Sequence, residues 1–242
     1  MNLITRVLGK GPQARFNLAG PSSNIRVSEA SGTTTLTKDD IPHQVFNLSA
    51  ARTVKLPSTG VKAGDIWRLE NVTFNLLTVQ AGDASELTRS TSRTGASFEK
   101  GSCVVRALID APSTASNWVV LDVEDLSNYA TGTTGGAVGV TYFVGFRRRN
   151  EIVTIEAASG IAAASASNVI NVSSVIPLRM RGSNQGYAPS SCLSAGSIIA
   201  GVVYINTNGT LQFIKYDSSN YSGTSGITDA TGTYQKTSWV IQ

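Results

Sequence analysis

From Gln44 onward apolar and polar residues alternate over short stretches, and each stretch ends at Gly, Pro, Asn or Asp. Phe46 and Leu48 alternate with polar neighbours, as do Val54 and Leu56 ahead of Pro57. Residues 66–69, 76–79, 104–109 and 118–121, together with Phe98, continue the series. Turn sequences separate them: Ser58-Thr59-Gly60, Ala63-Gly64-Asp65 and Ala81-Gly82-Asp83. A period of two with regularly spaced turns predicts strands, and evenly spaced short strands predict an antiparallel sandwich or barrel over residues 44–122.

Residues 123–139 read as a linker, because Glu124 and Asp125 lead into a Gly/Thr-rich run ending at Gly139 that has almost nothing to bury. The glycines do not make a phosphate loop, since no Gly-Lys-Ser/Thr ending follows. Strand pattern returns over residues 140–242. Its clearest feature is a hairpin, where residues 202–205 and 210–214 flank Asn206-Thr207-Asn208-Gly209 and Asn-Gly supplies the turn. A last strand is expected over residues 234–241, with Tyr234, Lys236, Ser238 and Val240 on one face. Residues 1–43 differ: Gly11-Pro12, Gly20-Pro21 and Ser31-Gly32 interrupt them and no apolar period is sustained, so they read as an extended attachment segment. The expected architecture is all-β, with two small antiparallel sandwich or jelly-roll-like modules after that segment.

Composition agrees. Of 242 residues only 15% are charged, against about 25% in an ordinary globular chain. Polarity comes instead from 29 Ser and 25 Thr, with 23 Gly. Such a chain suits pleated surfaces and tight turns and argues against a helical bundle. The net charge of +4 is uneven, since residues 151–242 carry four basic and four acidic side chains while Arg6, Lys10, Arg15 and Arg26 all precede the first acid, Glu29. Four charges over that length fall short of a nucleic-acid stripe, so no nucleic-acid partner is expected. They would suit an acidic platform, or a solvated arm. The longest apolar run, residues 198–205, is less than half a membrane span, and no membrane insertion is expected. Cys103 and Cys192 are too few for a disulfide framework or a metal cluster, so no metal and no cofactor are expected.

Candidate chemistry is sparse. His43 is the single histidine, which leaves no partner for a relay or a His-rich metal site, and no catalytic residues are assigned. Asp122, Glu124 and Asp125 form an acidic cluster of the kind a glycosidase uses, but no repeat of 20 to 30 residues marks the β-helix of a depolymerising spike, and the cluster reads as solvated linker. Arg147-Arg148-Arg149 is the densest charge. On a strand Arg147 and Arg149 share one face, suited either to an anionic glycan or phosphate or to solvent and acidic neighbours. The stronger binding candidates are the loop carrying Tyr216, Asp217, Asn220 and Tyr221, and the loop carrying Asn184, Gln185 and Tyr187. Aromatic rings beside amides and hydroxyls are how a sugar is held.

Two stretches resemble sequences of bacteriophage tail fibres and related receptor-binding proteins. One is Thr53-Val54-Lys55-Leu56-Pro57-Ser58, then Ala63-Gly64-Asp65-Ile66-Trp67, Leu77-Thr78-Val79-Gln80 and Trp118-Val119-Val120. The other is Ile176-Pro177-Leu178-Arg179 with Val203-Tyr204-Ile205 and Asn208-Gly209-Thr210-Leu211, similar to fibre tip domains. The resemblance implies a homotrimer assembled into a virion. Its N-terminal segment, through Arg6, Lys10 and Arg15, would hold a baseplate or other virion protein. Its C-terminal tip would bind a host surface glycan. Two alternatives stay open: a head or baseplate decoration protein that binds only virion partners, and a small glycan-degrading tail enzyme.

Overall fold

The computed structural model describes residues 23–88, 95–134, 141–159, 161–162, 168–172, 176–182, 185–194, 197–220, 225–226 and 238–241. Strands predominate and, among the described residues, no helix reaches seven residues, so the all-β class holds. The described residues fall into two units, divided between Glu124 and Asp125.

The first unit contains β1 (Ser23–Glu29), β2 (Gly32–Thr35), β3 (His43–Leu48), β4 (Arg52–Lys55), β5 (Ile66–Asn71), β6 (Leu77–Gln80), β7 (Lys100–Ala107) and the start of β8 (Trp118–Thr134). Alternate residues of β3 and β5 turn inward, Phe46 and Leu48 from one, Trp67 and Leu69 from the other. The pairing departs from the antiparallel expectation. Strands β1, β3 and β5 are parallel neighbours, and so are β2, β4 and β6 in a second sheet. The chain thus alternates between two parallel sheets, a short coil of three rungs closed by β7, which runs antiparallel to β5.

The coil is a structural repeat that the residue pattern hides. Twenty residues separate Ser23 from its partner His43, and twenty-five separate His43 from its partner Arg68. The same offsets stack Thr34, Val54 and Val79, all buried. A rung needs only a residue of suitable size at each inward position, and unequal loops between rungs remove any fixed period. Residues 23–43 accordingly supply strands of this unit, in place of the attachment segment expected as far as residue 43. The predicted linker at 123–139 is corrected over residues 123–134, which belong to β8, and its remaining residues 135–139 lie outside the described residues. At the Gly-Asp turn, Gly64 has φ +91° and its N–H donates to the Ala107 carbonyl at 2.9 Å.

The second unit takes in the rest of β8, then β9 (Thr141–Arg149), β10 (Ile152–Ser159), β11 (Ile161–Ala162), β12 (Val169–Val172), β13 (Gly186–Ser194), β14 (Ser197–Ile205), β15 (Leu211–Lys215), β16 (Ser225–Gly226) and β17 (Ser238–Val240). Pairing here is antiparallel, in the runs β9-β10-β17 and β12-β15-β14-β13. Val144, Phe146, Val153, Ile155, Ile170, Val203, Leu211 and Phe213 build its core. The Trp239 ring meets Phe146 edge-on at 6.0 Å, and its indole N–H donates to the Met180 carbonyl at 2.9 Å.

Ile176-Pro177-Leu178-Arg179 forms a 3-10 turn over Leu178–Met180. Arg179 reaches from it into the core. Its Nε donates to Asp125 Oδ2 at 2.7 Å and its Nη2 to Ser127 Oγ at 2.7 Å. Asp125 and Ser127 are fully buried, so two of the acids read as solvated linker separate: Glu124 is half-buried, and Asp125 is a core ion-pair partner. Cys103 is buried in the core of the first unit. Among the described residues no helix is long and apolar enough to cross a membrane.

Candidate functional site: an aromatic and amide face

In β14 and β15 the inward residues Val203, Ile205, Leu211 and Phe213 are buried, which turns Tyr204 and Gln212 to the other face. Registers across four strands bring Asn171, Gln212, Tyr204 and Tyr187 into one row. Gln212 Nε2 donates to Asn171 Oδ1 at 2.8 Å. The Tyr187 and Tyr204 rings stack with centroids 4.4 Å apart and planes 26° from parallel. Tyr187 is 69% exposed. One row further, Gln185 Nε2 donates to Asn206 Oδ1 at 3.3 Å. The Tyr204 phenol is raised above its ordinary pKa, first by partial burial and then by the Tyr187 hydroxyl, so it stays a neutral donor over the physiological range.

The hairpin read from Asn206 to Gly209 is what holds this face in register. Gly209 has φ +88°, its N–H donates to the Asn206 carbonyl at 3.0 Å, and the Asn206 N–H donates to the Thr210 carbonyl at 2.9 Å. A Cβ on Gly209 would come within 2.6 Å of the Arg181 guanidinium, so the turn is also packed from outside.

The second predicted loop is built differently. Lys215, buried at the end of β15, donates through Nζ to Ser219 Oγ at 2.5 Å and to the Asn220 carbonyl at 3.1 Å. Asp217 Oδ1 accepts from the Ser219 N–H and hydroxyl, each at 2.9 Å. Those bonds, with the Lys215 ammonium 3.7 Å away, lower the Asp217 pKa below the ordinary carboxylate value. Asp217 and Asn220 therefore shape the loop. Tyr216 is left 62% exposed.

The two candidate loops are thus apart. Gln185 and Tyr187 lie beside the β14–β15 turn, whereas Tyr216 follows the opposite end of β15, four residues from Gln212 and so about 13 Å along the strand. Asn184 and Tyr221, like Arg6, Lys10 and Arg15, lie outside the described residues. Tyr204, Gln212, Asn171 and Asn206 were missed as site residues. Strict alternation within 202–205 and 210–214 carries the signal for the first two, because it sets them opposite Val203 and Phe213.

The Arg run follows its strand parity. Arg147 and Arg149 are exposed, while Arg148 is fully buried and its Nε donates to the Asn150 carbonyl at 2.9 Å. His43 opens β3 with Nε2 3.2 Å from Glu70 Oε2, inside the first unit and not at the end of an appendage. Among the described residues, no group of three or more His, Cys, Asp or Glu is arranged to hold a metal ion.

Set against known proteins, the chain matches no family model and no curated sequence.

Proposed function

We propose that this chain is a structural fibre protein of a bacteriophage virion, a homotrimer that attaches to the host cell by binding surface glycan through its second unit. The observation that carries the reading is the stack of exposed Tyr187 on half-buried Tyr204, bordered by Gln185, Asn206 and Gln212. Stacked phenol rings offer a flat apolar platform with few rotamers to freeze, and amides at its edge match sugar hydroxyls as donors and acceptors. A charge-poor, strand-rich chain is consistent with assembly from copies of itself, which bury sheet edges that would otherwise invite aggregation. Arg6, Lys10 and Arg15 would provide the contact with the virion partner.

Purified full-length chain tests the reading in one preparation. It should scatter light as a trimer and block adsorption of the phage to its host. Tyr204→Ala should remain trimeric and lose the block. A chain that is trimeric but never competes with adsorption would favour a decoration role, and a monomer at micromolar concentration would remove the fibre reading.

A further inference from the structure

We propose that the outer face of the β9-β10-β17 sheet is a second glycan subsite, selective for a carboxylated sugar held by Arg147 and Arg149. The inference rests on the glycan-binding reading above and adds the class of sugar to it. Two cross-strand rows define the face. The register aligns Arg147 with Thr154 and Thr154 with Ser238, and it aligns Arg149 with Ile152 and Ile152 with Val240. Thr154 Oγ1 and Ser238 Oγ are 2.7 Å apart and share a hydrogen bond. Ile152 and Val240 are 53% and 56% exposed, an apolar pair left beside two cations.

Arg147, Arg149, Asn150, Glu151, Ile152 and Thr154 line a hollow of about 420 Å³ over this face. That volume lies in the lower part of the range of about 300–1,000 Å³ typical of small-ligand sites, and so suits a sugar unit or two. The floor is rigid, because Arg148 is turned inward and bonded to the Asn150 carbonyl, and Val153 and Ile155 are core residues. Two arginines on one side of a strand, their backbone positions about 7 Å apart, can grip a carboxylate through paired N–H bonds. The Thr154 and Ser238 hydroxyls answer ring hydroxyls, and Ile152 with Val240 meets the C–H face of the ring. Glu151 stands at the turn end and repels an acid there, which directs the ligand's carboxylate towards Arg147. Two cations with a carboxylate on the rim are too few for a nucleic-acid backbone.

The experiment uses full-length chain on an array of neutral and carboxylated bacterial polysaccharides, both uronic and sialic types, each acidic polymer paired with its carboxyl-reduced form. The chain should prefer the acidic member of a pair, and that preference should fade as salt rises from about 50 mM to about 500 mM. The double variant Arg147→Gln/Arg149→Gln should lose about tenfold or more on acidic polymers. Its binding to neutral polymers should be unchanged, which also serves as the check on folding. Equal binding of an acidic polymer and its reduced form, or an acidic preference that survives the double variant, overturns the proposal. Binding of neutral polymers alone overturns it too and leaves the tyrosine face standing. Binding of no glycan at all overturns both readings.

Discussion

Asp125→Ala isolates the ion pair that ties the 3-10 turn to β8. Asp125 is fully buried and the Arg179 side chain is 14% exposed, with Nε–Oδ2 at 2.7 Å and a second contact from Nη2 to Oδ1 at 3.4 Å. Removing the carboxylate leaves the guanidinium in the core with its charge unbalanced, and breaking a buried pair in this way costs about 3–5 kcal/mol. A unit of this size has about 5–15 kcal/mol in total, so the variant keeps a folded second unit with little reserve. With a urea slope of about 2 kcal/mol per molar, a loss of about 4 kcal/mol lowers the midpoint by about 2 M. Hydrogen exchange resolved by peptide assigns the loss: amides of β9, β10 and β12–β15 should exchange faster while those of β3–β6 keep their wild-type protection. Asp125→Leu combined with Arg179→Met should recover much of the stability, because neither member of the pair is then left without the other. A loss below about 1 kcal/mol for Asp125→Ala would refute the view that this pair, and not apolar packing alone, fixes the turn.

Further substitutions probe other elements. Leu69→Ala, at a fully buried coil position, should cost about 2–5 kcal/mol in chemical denaturation of the first unit. Gly209→Ala should cost about 1–3 kcal/mol, since φ +88° and the Arg181 contact both oppose a side chain, and Tyr187–Tyr204 stacking should loosen in near-ultraviolet circular dichroism. Because the folded-state pKa of Asp217 is depressed, the order it gives the 216–220 loop is fully present above its unfolded pKa and fades as pH falls through the lower folded value. The protection factor of the Ser219 amide, its exchange corrected for the intrinsic rate at each pH, should show that fading from about pH 6 to about pH 3, and Asp217→Asn should abolish the change.

Strand content and the Asn206–Gly209 hairpin were legible because both rest on local chemistry: alternation in one case, left-handed turn residues in the other. Strand direction was not. Parallel and antiparallel neighbours demand the same alternation, so nothing in Phe46, Leu48, Trp67 or Leu69 says that β3 and β5 run the same way. The coil escaped for a related reason: Thr33, Thr53 and Thr78 share one register position, but offsets of 20 and 25 residues between rungs leave no fixed period to find. Asp125 misled because a carboxylate in a Gly/Thr-rich neighbourhood reads as solvated until Arg179, 54 residues away, is brought against it. In the candidate site, Tyr187 and Gln185 could be picked from composition. Their partners Tyr204, Asn206 and Gln212 come from strand register, which fixes contacts that no local window contains.

The central claim is that glycan lies on the tyrosine row, and covalent footprinting of tyrosine rings tests it most directly. Full-length chain is labelled by brief hydroxyl-radical exposure with and without the host surface polysaccharide, and modification is read residue by residue by mass spectrometry. Glycan should protect Tyr187 and Tyr204 while Tyr216, about 13 Å further along the sheet, keeps its unliganded reactivity. Unchanged labelling of Tyr187 and Tyr204 under saturating polysaccharide, or protection confined to Tyr216, would contradict it.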